Sequence, residues 1–228
     1  MQKVFLFLLF PAVLICQSEF TEKDDFGLSA GYTFTQNDVM NSSAFDFVFT
    51  TFGVLDIGLQ TGSGKSDYKY SSSQISTDAN LLYAAYCFKR RNNNLMLKIF
   101  AGYYNGKAEI PYNHDISLYG LILGLGAYPR FVNADQISIR AAIELTYGIL
   151  STTSDSYYSD DSDFDNSRSI SIGINLVADP ANNFHIIFSP FAAWDLLQNE
   201  NSFYYGLNSR IFISFETSET NNDVPIER

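Results

Sequence analysis

Asp161, Asp163 and Asp165 place carboxylates on every second residue of the run Asp160, Asp161, Ser162, Asp163, Phe164, Asp165 and Asn166. A calcium loop opens with this spacing, because oxygen ligands at alternate positions converge on a hard cation. Here the loop is not completed: its closing position falls on Ile172, which offers no ligand. The run therefore reads as a candidate calcium site lacking its last ligand, or as a solvated acidic loop. Its neighbours Tyr157, Tyr158 and Phe164 suit contact with an outside partner.

Other chemistry is thinly supplied. Gly62, Ser63, Gly64, Lys65 and Ser66 look like the end of a phosphate-binding loop, but the motif's first glycine would fall on Leu59 and no helical pattern follows. Without a helix N-terminus the backbone N–H groups have nothing to aim at phosphate. The two histidines, His114 beside Asp115 and His185 at the start of an apolar run, are far apart, and no base, nucleophile and orienting group converge. No catalytic residue and no cofactor site are expected. Cys16 falls in the leader, so Cys87 is the single cysteine expected in the mature chain, which leaves no disulfide framework or cysteine metal site. The formal net charge of -11, one unit more negative once Lys3 is removed, argues against a nucleic-acid partner.

A last constellation, Asp46, Asp56, Lys98, Arg140, Glu144 and Arg210, has no meaning as a motif and acquires one from the elements that carry it. Ile137, Ile139, Ala141, Ile143, Leu145, Tyr147 and Ile149 interleave with Ser138, Arg140, Ala142, Glu144, Thr146 and Gly148. Ile170, Ile172, Ile174 and Leu176 interleave in the same way with Ser169, Ser171, Gly173 and Asn175. This is the period of a strand with one apolar and one polar face. Ten such segments run from Phe26 to Phe215, and all six charges fall on the polar face, as does Glu216.

The connections alternate in kind. Those around Gly53 and Val54, Lys89 to Asn94, Val132 to Asp135 and Asp179 to Asn182 are short and rich in turn formers. Those from Gln36 to Asn41, Gly62 to Ser76, Asn105 to His114, Ser151 to Ser167 and Asp195 to Asn201 read as longer polar loops. The pattern is that of an all-β, ten-stranded, antiparallel, up-and-down transmembrane β-barrel, with short periplasmic turns and longer extracellular loops. Phe26, Leu28, Ala30, Tyr32 and Phe34, then Phe45, Phe47 and Phe49, then Leu55, Ile57 and Leu59 should face lipid, whereas Ala79 to Phe88 alternates too poorly to be assigned. Tyr103, Tyr128, Tyr147, Trp194, Phe203, Tyr205 and Phe215 should form an aromatic girdle at the interfaces.

The N-terminus adds the route. Lys3, the apolar run Val4 to Ile15 and the stretch Cys16, Gln17 and Ser18 form a leader cleaved near 16–18, too short to span a bilayer as a helix, which takes roughly 20 residues. Ile15 is larger than the residue that normally precedes a lipidated cysteine. The expected division is leader 1–18, barrel 19–216 and a short polar periplasmic tail 217–228.

On this architecture, and on the turn Phe52, Gly53, Val54, Leu55, Asp56, Ile57 and Gly58, the chain resembles the small bacterial outer-membrane β-barrel proteins of the OmpA-barrel and OmpX-like group. The resemblance implies an outer-membrane protein of a Gram-negative cell, inserted by the barrel-assembly machinery through an aromatic residue of the last strand. Phe215 is the candidate signal, although Glu216 to Arg228 follow it. Lipid A deacylases have similar barrels, but their His-x-Ser spacing is absent, since Asp115 and Ile116 follow His114. Omptin-type proteases also have ten strands, with catalytic loops carrying paired acids and a histidine. The expected function is non-enzymatic, structural or surface-interacting, through acidic extracellular loops. A narrow channel for small solutes is the alternative, and an enzyme acting on lipid or peptide comes third. Expected partners are outer-membrane lipid and lipopolysaccharide, the assembly machinery and an extracellular ligand, with the chain a monomer.

Overall fold

The computed structural model describes residues 25–37, 40–67, 74–89, 94–110, 114–134, 136–154, 162–196 and 203–215. In chain order the strands are β1 (Phe26–Gln36), β2 (Met40–Thr51), β3 (Leu55–Asp67), β4 (Gln74–Lys89) and β5 (Leu95–Ile110). They continue as β6 (His114–Ala134), β7 (Ile137–Ser154), β8 (Ser162–Ala181), β9 (Phe184–Asp195) and β10 (Phe203–Phe215). Each pairs antiparallel with its neighbours in sequence, and β1 closes on β10. Short connections dictate the up-and-down order, and closure removes the unpaired edges that an open sheet would expose. The seam is marked by Phe26 and Phe215, register partners whose rings stack with centroids 5.0 Å apart. No helix among the described residues is long and apolar enough to cross a membrane, which says nothing about crossing by strands.

The turn between β2 and β3 shows how tightly one rim is drawn. Phe52 (φ 53°) and Gly53 (φ 59°) both adopt left-handed backbone, and the Val54 amide donates to the Thr51 carbonyl at 3.3 Å. Two left-handed residues in succession match the twist of a hairpin. Glycine takes that conformation freely; phenylalanine does so at a steric cost.

Facing follows the expected parity. Leu28, Phe45, Phe47, Ile57, Leu59, Ile143, Leu145, Ile172, Ile174 and Ile211 are exposed on the outer wall, whereas Ser29, Asp46, Asp56, Gln60, Glu144 and Ser171 are buried inside. An apolar face continuous around the whole barrel far exceeds the few hundred Å² that a soluble monomer leaves in water. Turned toward lipid it costs nothing to expose. β4, whose facing the sequence leaves open, sends Ile75, Ala79, Leu81, Tyr83 and Ala85 inward and Leu82, Ala84, Tyr86 and Phe88 outward, so both of its faces are largely apolar.

The strands reach further than their hydropathy marks. Part of each expected long loop is strand: β3 continues to Asp67, β5 to Ile110 and β7 to Ser154, and β8 begins at Ser162. At 21 residues β6 is about twice the roughly 9–11 residues that a tilted strand needs to cross a bilayer. Beyond the apolar belt the outward positions turn polar, with Thr61, Ser63 and Lys65 on β3 and Asn105, Lys107 and Glu109 on β5. There Lys107 bridges to Asp115 of β6 at 2.7 Å and to Glu109 at 3.6 Å. The barrel wall thus stands above the belt on the rim of the polar connections.

Candidate functional site

Six charged residues share the interior, each brought there by strand parity. Asp46, Asp56, Lys98, Arg140, Glu144 and Arg210, the set expected on the polar face, are all at most 2% exposed. Glu216 lies outside the described residues.

The ion pairs are built by one device used twice. Lys98 of β5 and Glu144 of β7 both have Gly126 of the intervening strand β6 as register partner, and Lys98 Nζ reaches across it to Glu144 Oε1 at 2.6 Å. Arg210 of β10 and Asp46 of β2 both have Gly31 of β1 as register partner, and they pair through the Arg210 guanidinium and Asp46 Oδ2. A methyl group on Gly31 would sit 2.5 Å from Asp46 Oδ1 and 3.1 Å from Arg210 Nε, so only a missing side chain lets the charges meet. Strands two apart cannot hydrogen-bond through their backbones, and here side chains join them.

Further bonds hold these groups. The Tyr128 hydroxyl donates to Glu144 Oε1, and Arg140 Nη1 donates to the Tyr128 carbonyl at 3.2 Å. Lys98 lies 5.2 Å from the Tyr128 ring centroid and 5.4 Å from that of Phe100, on faces that attract a cation. Asp56 accepts from Thr50 Oγ1 at 2.7 Å, and Arg210 Nη1 donates to Ser29 Oγ at 3.4 Å. Asn208 Nδ2 donates to Thr33 Oγ1 at 2.6 Å. Burying charge is tolerated when it is paired and hydrogen-bonded, as Lys98 with Glu144 and Arg210 with Asp46 are, while Asp46 Oδ1 and Arg210 Nε make no hydrogen bond among the described residues.

Large rings fill the space beside the charges by lying over glycines. A methyl group on Gly58 would collide with the Tyr83 ring, one on Gly124 with the Phe100 ring and one on Gly206 with the Phe191 ring. Tyr83, Phe100, Leu81, Ile122 and Leu150 belong to one buried apolar cluster, on the wall that β2 to β7 contribute. The opposite wall mixes buried polar Ser167, Ser169, Thr33 and Asn208 with apolar Ile187, Phe191, Tyr204 and Phe212.

One expectation about an interior residue is corrected. Tyr128 is fully buried and bonded to Glu144, so it belongs to the lumen and not to the girdle; its even-numbered place on β6 points inward. Cys87, expected to be the single cysteine of the mature chain, is buried with its Sγ 3.8 Å from Asp56 Oδ2. The other cysteine of the sequence, Cys16, lies outside the described residues. The remaining girdle candidates Tyr103, Tyr147, Trp194, Phe203, Tyr205 and Phe215 do lie on the outer face. Trp194 and Phe203 are in contact, with centroids 5.3 Å apart.

The candidate calcium ligands are only partly described. Asp161 lies outside the described residues, whereas Asp163 and Asp165 belong to β8, in register with Thr152 and Leu150 of β7. Among the described residues no group of three or more His, Cys, Asp or Glu side chains is placed to hold a metal. His185 carries the one feature the sequence did not announce: its Nδ1 lies 2.6 Å from Asp179 Oδ1, beside the Phe212 ring. A His–Asp pair orients an imidazole but performs acyl chemistry only with a nucleophile. Here it fastens the turn between β8 and β9.

No protein-family model matches the chain, and no curated protein matches it. Solved structures do. The translocator domain of the autotransporter NalP from Neisseria meningitidis superposes with a TM-score of 0.53 at 14% identity, over 85% of this chain and 89% of that one. The transport unit of the autotransporter AIDA-I from Escherichia coli gives 0.48 at 10% identity, over 90% and 93%. The outer membrane protease OmpT from Escherichia coli gives 0.40 at 8% identity, over 85% and 97%. At these identities the likeness is one of fold, and the fold is that of outer-membrane β-barrels.

Proposed function

We propose that this chain is a monomeric integral protein of the bacterial outer membrane, delivered through a cleaved leader, that conducts no solute and acts through its outer rim. The observation that carries this reading is the pairing of the interior charges. A conducting lumen keeps its charges wetted and facing the ion path. Here Lys98 is held by Glu144 and Arg210 by Asp46, with Tyr83, Phe100 and Phe191 folded over glycines beside them. A ten-stranded barrel is only slightly wider than the eight-stranded size whose interior side chains fill.

The outer rim is the remaining place for function. The wall stands above the lipid belt there, and the acidic run Asp160 to Asp165 with Tyr157, Tyr158 and Phe164 supplies charge and aromatic surface for an extracellular partner. Phe215 presents an outward ring at the end of the last strand, a form the assembly machinery could read at the seam with Phe26. The second reading, a narrow solute path, is favoured by the buried polar residues Ser167, Ser169, Thr33 and Asn208. An enzyme acting on lipid or peptide comes third, resting on His185 and Asp179 alone.

Reconstitution of the mature protein into vesicles separates these readings. No swelling in small sugars and no lipid or peptide hydrolysis is expected. Solute uptake would favour the channel, and turnover lost on His185→Ala would favour the enzyme.

A further inference from the structure

Where the apolar belt of β8 ends, Arg168 turns outward. The outward residues of this strand pass from Asn166 and Arg168 to Ile170, Ile172, Ile174 and Leu176, so Arg168 stands at the edge of the apolar outer face. Tyr147 of β7, its register partner, lies beneath it with the ring centroid 5.6 Å from the guanidinium carbon. The Tyr147 hydroxyl donates to Asn166 Oδ1 at 3.2 Å, and the Arg168 carbonyl accepts from the Leu196 amide at 2.7 Å. Tyr147, Arg168 and Leu196 form one end of a groove of about 340 Å³ that continues along Leu145, Leu125 and Leu123.

Arg168 is the one charged side chain in that lining. Among the described residues no carboxylate lies within ion-pair distance of it, whereas the outward Lys107 is engaged by Asp115 and Glu109. A guanidinium at the edge of hydrocarbon seeks a counter-ion, and its fork of donors matches phosphate oxygens. An apolar groove continuous with that fork adds a place for a chain.

We propose that this groove binds an anionic membrane lipid, with a headgroup phosphate on Arg168 and an acyl chain along Leu145, Leu125 and Leu123. The inference rests on the membrane location proposed above. A free phosphate would use the cation and leave the groove unfilled, so the groove argues for the lipid.

The full-length protein in phosphatidylcholine vesicles containing a minority of phosphatidylglycerol supplies the test, with retained lipid identified by native mass spectrometry after extraction into detergent. Wild-type protein should keep phosphatidylglycerol in preference to phosphatidylcholine. Arg168→Gln should lower that preference about fivefold, the scale of one basic residue at an anionic surface. Leu145→Trp, which fills the groove and leaves the cation, should lose both lipids, and Lys65→Gln should change nothing. An equal preference in Arg168→Gln, or displacement of the lipid by excess inorganic phosphate, would overturn the site. Flotation with the vesicles reads membrane insertion separately: wild-type protein that fails to float overturns the location, whereas floating protein without preference overturns the site alone.

Discussion

Lys98 and Glu144 stand two strands apart and still meet, Nζ to Oε1 at 2.6 Å, because the strand between them offers Gly126 at that level. A methyl group on Gly126 would lie 2.7 Å from the Tyr128 hydroxyl, so the glycine makes room for the ring that donates to Glu144. The pair is buried, so its value lies in mutual compensation more than in net attraction.

Removing one partner should therefore be costly. Lys98→Met leaves Glu144 buried with Tyr128 and no cation on it, which should destabilise the barrel by about 3–5 kcal/mol. The double variant Lys98→Met with Glu144→Gln should recover much of that loss. Thermal unfolding in one detergent checks both; a double variant as unstable as the single would mean that the charges are not compensating each other.

Glycines beneath rings should tolerate no methyl group. Gly124→Ala pushes a carbon into the Phe100 ring, an overpacking that should cost about 1–3 kcal/mol. Adding Phe100→Leu should restore part of it, as read by the same unfolding transition.

The lipid belt has a sharp upper edge on β8. Ile172→Arg, below that edge, should destabilise the folded barrel in lipid by about 2–4 kcal/mol, whereas Asn166→Arg, beyond it, should cost little. Folding titrations in vesicles distinguish the two sites, and equal penalties would mean that the belt is misplaced.

Phe52 holds a left-handed backbone that asparagine adopts more readily. Phe52→Asn should stabilise the β2–β3 turn by up to about 1 kcal/mol in detergent. A loss instead would show that the exposed ring anchors the rim to the membrane.

Much of this architecture was legible because a strand's side chains alternate wherever its pairing is regular, so Ile137 to Ile149 and Ile170 to Leu176 disclose both element and facing. The same rule put Asp46, Asp56, Lys98, Arg140, Glu144 and Arg210 together inside. It could not say which would pair: Glu144 takes Lys98 and not the nearer-in-sequence Arg140, because partners two strands apart depend on register across the barrel. Nor could it follow β3 to Asp67 or β5 to Ile110. Once outward residues such as Ser63 and Lys107 meet water, both faces are polar and the alternation disappears. β4 was obscured for the opposite reason, since Leu81 and Tyr83 inside are as apolar as Leu82 and Tyr86 outside.

Single-channel recording in a planar bilayer tests the non-conducting reading most directly, with wild-type protein and Arg210→Met compared. Arg210→Met leaves Asp46 buried without its cation, so stability should fall by about 3–5 kcal/mol while the current of both proteins stays at baseline. Stepwise current through the wild-type barrel, shifting toward cation selectivity in a variant that unfolds no earlier, would contradict a closed lumen and make the protein a channel.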